Sequence, residues 1–317
     1  MADEVKEQSN ADVSEQNTEK TELAEGKKAI RVNVVADKNA GAKNFIVKFG
    51  IHTVCILLAL LSIFPFWIMI VNSTRSTVQI QEHALSLIPS TYMIQNFQIL
   101  TGKSFNPAVG LLNSLIISTG STLLTVYFSS LTAYALVAYD WKLKNAFFKF
   151  IIGVMMIPAQ VTMIGFYQAV YAVGMTNKLS MLILPAIAAP ATVFFMRQYL
   201  YPTLSMEIVQ AARIDGAGEF RIFNTIVLPM MKPAIATQAI FCFVNSWNNL
   251  FTPLVLLTDS KKYTMPIMVS LLRGDIYKTE YGSVYMGLTL TVLPLIIIYL
   301  ILSKYIIAGV ALGGVKS

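Results

Sequence analysis

EIVQAARIDGAGEFRIFNTIVLPMMKPA, residues 207–234, is a charged, turn-bearing stretch set between two long apolar runs. A loop that merely joins two membrane spans needs a handful of polar residues, and this one is built as an object. Glu207 to Arg213 are good helix formers. Asp215-Gly216 can stop that helix, because glycine takes the left-handed conformation at a helix C-terminus without steric cost. Gly218 to Val227 then sets Phe220, Phe223 and Val227 at helical spacing. Pro229 and Pro233 are expected to end the second helix and lead into the next span. The reading is a short helix, a turn and a second helix beneath the bilayer, offered to a soluble partner.

The surroundings make the chain a membrane protein. Of its 317 residues, 55% are hydrophobic and 13% charged, with a mean hydropathy of +0.61. A soluble fold cannot hide that much apolar surface. Six apolar runs are each near the ~20 residues that cross a bilayer as a helix. They are Phe45–Val71, Leu111–Val137, Phe147–Val173, Leu179–Tyr199, Ala234–Leu257 and Tyr281–Leu302. Lys48, Lys149 and Arg197 sit near run ends, where long side chains reach the headgroups. With the N-terminus inside, seventeen of the 24 Lys and Arg fall on the cytoplasmic side, so both termini are read as cytoplasmic. Lys261, Lys262, Arg273 and Lys278 crowd the last outer loop, accompanied by Asp259, Asp275 and Glu280. Residues 1–43 are polar, hold nine acids and seven bases, and read as a disordered cytoplasmic tail. The domain proper is 44–317.

The net charge of +7 does not mark a nucleic-acid binder, since the basic residues flank apolar runs and form no patch interleaved with aromatics. Cys55 and Cys242 lie inside apolar runs as small hydrophobes. His52 and His83 have no companion at metal-ligand spacing, so no metal is expected. Thr101-Gly102-Lys103-Ser104 mimics the end of a P-loop, but the glycine required five positions before Gly102 is Phe97. No nucleotide cofactor and no catalytic residues are expected in this chain.

Two spans carry polar groups. Leu111–Val137 holds Ser114, Ser118, Gly120, Ser121, Ser129, Ser130 and Thr132, small enough for close helix contact, and reads as a central packing helix. The fifth run has Gln238, Asn245 and Thr252 at seven-residue intervals on one face, with Trp247, Asn248 and Asn249 beside them. Such amides mark either a solute path or interhelical hydrogen bonds. A path of amides and one ring suits a sugar, because amides bind hydroxyls and the ring stacks on the pyranose face. Pro158, Pro185 and Pro190 fall within the third and fourth runs, and broken helices of this kind commonly line a cavity.

Q-A-A-x-x-D-G-A from Gln210 to Ala217, then F-x-x-I-x-L-P-x-x-x-P from Phe223 to Pro233, resembles the EAA loop of permease subunits in bacterial ABC importers. The first position of that motif is usually Glu; here it is Gln210, with Glu207 three residues earlier on the same helix face. Asn113-Ser114-Leu115, Ala133-Tyr134-Ala135, Ile157-Pro158, Arg197-Gln198-Tyr199, Trp247-Asn248 to Leu254 and the ending Gly309 to Lys316 are similar to the smaller permease of maltose-type carbohydrate importers.

The resemblance covers about residues 45–317. It implies an all-α membrane protein of six transmembrane helices, with the loop at about 203–233 as a cytoplasmic coupling helix. Glu207, Gln210, Ala211, Ala212, Asp215, Gly216 and Ala217 would engage the ATPase. The implied partners are a second permease, two ATPase subunits that bind ATP and magnesium, and an extracytoplasmic solute-binding protein, at the bacterial inner membrane. The rival reading, a secondary carrier of a polar uncharged solute, would expect an ion-coupling carboxylate within the spans, which the sequence lacks; an intramembrane hydrolase would need a catalytic set.

Overall fold

The structure of the chain, a computed structural model, describes residues 38–102, 105–272 and 280–314, with side chains for all of these but 38–46, 159 and 302–314. Most of the expected tail, 1–37, lies outside the described residues, as do Lys103, Ser104, Arg273, Asp275 and Lys278. Residues 38–43 are helical, so the first helix begins inside the segment read as tail. Among the described residues every regular element is helical.

The chain divides into two compact units, Met1–Pro65 and Phe66–Ser317. The described part of the first is most of helix α1 (Lys38–Ser73), whose side chains from Val47 to Pro65 are all exposed. A helix apolar on every face and unburied is built for lipid or for another apolar surface.

The second unit holds the end of α1, then α2 (Thr77–Glu82), α3 (Met93–Gly102) and α4 (Pro107–Ala138). There follow α5 (Lys144–Met155), α6 (Ala159–Ala172), α7 (Ser180–Ile183), a 3-10 turn (Leu184–Ile187) and α8 (Pro190–Thr203). The loop region comprises α9 (Met206–Ile214), α10 (Glu219–Ile222), a π-helical turn (Phe223–Val227) and α11 (Leu228–Met230). Last come α12 (Lys232–Trp247), α13 (Phe251–Leu256), α14 (Met265–Leu272) and α15 (Tyr281–Gly314).

α4 is the hub, packed against α8 and α12, as its small residues foretell. Asn106 caps it by accepting from the Val109 N–H, and Pro107 opens its first turn, where no amide hydrogen is needed. Ser114, Ser118, Ser121, Ser129, Ser130 and Ala133 are buried along its length. Two of its hydroxyl groups bond carbonyls in the neighbouring span, one of them at a proline break. Pro190 has no N–H for the Ala186 carbonyl four residues before it, and Thr125 Oγ1 donates to that oxygen at 2.9 Å. Ser121 Oγ donates to the Leu182 carbonyl at 3.2 Å, one turn earlier in the same span.

The six expected spans take the form of four long helices and two bent pairs. Val47–Ser73, Pro107–Ala138, Ser180–Thr203 and Tyr281–Ile301 are each long and apolar enough to cross a bilayer. The third run is not one straight span: it breaks at Pro158, and its halves lie 101° apart. The fifth stops as a helix at Trp247, resumes at Phe251, and on its other side meets Glu219–Met230 at 80°.

Candidate functional site

The loop forms as a helix, a turn and a second helix. α9 ends in a Schellman motif: the Gly216 N–H reaches the Arg213 carbonyl at 3.0 Å and the Ala217 N–H reaches that of Ala212 at 3.0 Å. Gly216 adopts φ +80°, as the Asp215-Gly216 pair predicts. A Cβ there would meet nothing within 4 Å, so the site demands glycine for its backbone angle and not for space.

The two faces of α9 are distinct. Val209 and Ala212 are buried in the core with Ile222 and Phe223. Glu207, Gln210, Ala211 and Ile214, spaced i, i+3, i+4 and i+7, are exposed together. Asp215 and Gly216 are exposed at the turn, and Ala217 is half-buried. Ala212, grouped by sequence with the partner-facing residues, thus faces its own protein. Ile208, Ile214 and Phe220 are 44%, 86% and 69% exposed, large apolar side chains that this fold leaves uncovered.

Pro229 does not end the second helix. The chain widens into the π turn, in which the Leu228 N–H reaches the Phe223 carbonyl five residues back, and runs on to Met230. A wider turn accommodates the proline ring and its missing donor. The change of direction falls at Met231, and Pro233 opens α12.

The loop is fastened by Glu219, which sequence reading missed. Its carboxylate accepts from Arg213 Nε at 2.6 Å, from Tyr134 Oη at 3.1 Å and from Tyr139 Oη at short range. The Arg213 bond, then that of Tyr139, hold the Glu219 carboxyl below the ordinary carboxylate range, so it is ionised at neutral pH. Tyr139, beyond the end of α4, has its phenol pushed up by burial and then by the Glu219 bond. The pair with Arg213 is half-exposed, so its contribution is geometry more than stability.

A second candidate site lies where two helices break. Gln160 and Met163, just after Pro158, face Asn245, Asn248, Asn249, Leu250, Phe251 and Thr252 across a cavity of about 460 Å³. A neighbouring cavity of about 440 Å³ shares Met163, Asn249 and Thr252 and reaches Ile117 and Phe166. No charged side chain lines either among the described residues. Asn249 lies just before α13, its Oδ1 accepting from the Thr252 N–H at 3.2 Å. Asn245 and Asn248 are exposed, and their side-chain amides have no protein hydrogen bond among the described residues.

Three residues of the expected polar path depart from a single continuous stripe. Thr252 is brought to the cavity, but on α13, since the helix breaks after Trp247. Gln238 is half-buried and outside both cavity walls. Trp247 is 1% exposed, stacks on Phe243 at 5.6 Å and donates Nε1–H to the Thr291 carbonyl at 3.1 Å. Its ring is a packing element of this chain and offers no open face to a solute. Gln160 was legible only through its place just after a proline break.

A helical domain with uncharged cavities of several hundred Å³ and an exposed helix–turn–helix loop has the form of a membrane transport component. The family described as binding-protein-dependent transport system inner membrane component matches residues 125–311, and the chain belongs to it. It is 36% identical over 261 residues, 82% of this chain and 93% of the relative, to the arabinooligosaccharides transport system permease protein AraQ of Halalkalibacterium halodurans. It is 33% identical over 259 residues, 80% and 91% of the two chains, to the melibiose/raffinose/stachyose import permease protein MelC of Bacillus subtilis. It is 31% identical over 267 residues, 81% and 94%, to the sn-glycerol-3-phosphate transport system permease protein UgpE of Escherichia coli. The fold matches a chain in the crystal structure of a bacterial ABC transporter involved in the import of the acidic polysaccharide alginate, with a TM-score of 0.71 and 21% identity, over 83% of this chain and 97% of that one. The chain is an all-α membrane permease of the ABC importer type.

Proposed function

We propose that this chain is one permease of an importer that moves a neutral sugar or oligosaccharide inward, driven through residues 203–233 by ATP hydrolysis on partner subunits. The observation that carries the reading is the loop: a Schellman-locked turn whose Ile208, Ile214 and Phe220 are left uncovered by their own fold. Exposed apolar side chains on a short, fastened helix mark a protein contact. The partners are a second permease, two ATPase subunits holding ATP and magnesium, and an extracytoplasmic solute-binding protein. Both termini face the cytoplasm at the bacterial inner membrane.

The substrate class follows from the cavity. Asn245, Asn248 and Gln160 offer amide donors and acceptors for hydroxyl groups, and among the described residues no cation in the lining stands ready for a phosphate or carboxylate. AraQ and MelC are named for neutral oligosaccharides, UgpE for a phosphate ester, and the uncharged lining sides with the former. Among the described residues no carboxylate lines the cavities to couple a proton or sodium ion, which disfavours secondary transport.

The test is affinity purification of this chain from cells with its ATPase subunits counted, combined with uptake of labelled raffinose and sn-glycerol-3-phosphate. Ile214→Asp and Phe220→Asp are expected to strip the ATPase from an otherwise intact complex. Retention of the ATPase by both would end the coupling-loop reading, and preferred uptake of the phosphate ester would end the neutral-sugar reading.

A further inference from the structure

Glu219 belongs to neither the outward loop face nor the cavity, yet it gathers three donors from two directions. Arg213 reaches it across the Schellman turn, and Tyr134 and Tyr139 reach it from the inner end of α4. The Tyr134 ring is 2% exposed and lies 5.8 Å from the ring of Phe223 on the same loop. The far end of α4 is held by an equivalent polar joint. Asn113 Nδ2 donates to the carbonyls of Lys261 and Tyr263 at 3.0 and 3.1 Å, and Ser114 Oγ accepts from the Met265 N–H at 2.9 Å. Between the joints the helix is unbroken, and Ile117 on it forms part of a cavity wall.

From Asn113 to Tyr134 is roughly 30 Å of continuous helix at the α-helical rise. A helix is stiff along its axis, so displacement at one end arrives at the other if both ends are fastened. Apolar contacts slide; hydrogen bonds of this geometry fix an angle as well as a distance. The loop needs such fixing, because the Gly216 turn is open on its outer side.

We propose that α4 is the push-rod between the loop and the outer segment 261–265, with Glu219 as its inner joint and Asn113 as its outer joint. Both are positioning residues, and the proposal rests on the coupling-loop reading above. The ATPase-driven movement of α9 is delivered through the Glu219 carboxylate to Tyr134, along α4, and through Asn113 to the segment bonded to its other end. A concerted element biased from both ends is what coupling between distant sites requires.

The experiment uses the complete reconstituted importer, freed of Cys55 and Cys242 and carrying an environment-sensitive dye on Ser260→Cys. ATP, magnesium and vanadate are the probe. Two quantities are read: nucleotide trapped per ATPase subunit, and the change in dye emission on trapping. Glu219→Ala is expected to keep its ATPase subunits and trap nucleotide while the dye change falls about fivefold or more. Asn113→Leu is expected to do the same, and the double variant to be little worse than either, since a rod fails when one joint is lost. Glu219→Gln, which keeps an acceptor oxygen for the tyrosines, should restore part of the change. Tyr139→Phe, which leaves Glu219 in place, should give an intermediate loss.

A full dye change in Glu219→Ala or in both milder variants overturns the proposal. So does loss of ATPase subunits from Glu219→Ala, which would make Glu219 a docking residue. Additive losses in the double variant also overturn it. Ile214→Asp separates the two layers: if it keeps its ATPase and the full dye change, the coupling-loop reading itself falls.

Discussion

α4 and α12 pack side by side and both carry polar side chains through the apolar layer, but they dispose of them in opposite ways. On α4, Thr125, Ser121 and Asn113 are engaged with carbonyl groups of neighbouring segments. On α12 and the break after it, Asn245 and Asn248 face a cavity. Polar groups along an unbroken helix act as adhesive, while amides at a helix break form a surface open to a solute. The loop repeats the contrast within one helix, Val209 and Ala212 closed against the core and Ile214 open. Substitutions on closed surfaces should damage folding whatever the partner; those on open surfaces should damage transport and leave folding intact.

The largest effect is expected at Ala212. The space behind it is filled by Val209, Ile222 and Phe223, so Ala212→Trp overpacks the core by far more than the added methylene groups that cost ~1–3 kcal/mol. The membrane yield of folded chain should collapse even without the ATPase, which fluorescence size-exclusion chromatography measures. Normal yield with ATPase loss alone would move Ala212 to the open class.

Next is Asn248→Leu, on the open side. Losing amide contacts to solute hydroxyls costs about 1–3 kcal/mol, or roughly tenfold or more in apparent affinity. Uptake of labelled oligosaccharide should fall while the melting temperature in detergent stays unchanged. A lowered melting temperature with normal uptake would make Asn248 a packing residue.

Thr125→Val reverses that signature. It leaves the Ala186 carbonyl without its donor, a loss of about 1–3 kcal/mol. The detergent melting temperature should drop by several degrees, with transport per folded molecule retained.

Gly216→Val is the mildest in stability and sits on the boundary between the classes. Its surroundings are empty, so only the left-handed backbone is strained, by roughly 1–2 kcal/mol. The chain should fold and keep its spans, with the response of ATP hydrolysis to binding protein reduced. Gly216→Asn, which tolerates positive φ, should recover it.

The local parts of this architecture were legible in the sequence. Asp215-Gly216 announced both the turn and its handedness, Pro158 announced a break, and the serine-rich second run announced a packing helix. What the sequence withheld depends on orientation and on distant partners. Periodicity separates the Val209–Ala212 face from the Glu207–Ile214 face, but two alanines side by side do not say which is buried. Trp247 beside two asparagines looks like a sugar platform until the Thr291 carbonyl claims its N–H. The seven-residue spacing from Gln238 to Thr252 assumes one helix, whereas the helix stops at Trp247 and the Asn249 side chain takes the Thr252 N–H beyond it. Glu219 was passed over because its tyrosine partners lie 85 and 80 residues away along the chain.

The π turn at Phe223–Val227 also sets an angular phase. One residue in an α-helix corresponds to a rotation of about 100°. Removing a single residue, Thr225 for example, would invite an ordinary α-helical turn and swing everything before it by that angle relative to α12. Glu219 would then point away from Tyr134 and Tyr139, and Phe220 would leave the outward face. The extra residue that lets Pro229 remain in the helix is therefore what keeps the loop in register with the span beneath it, and a one-residue deletion here should uncouple the protein more thoroughly than most substitutions.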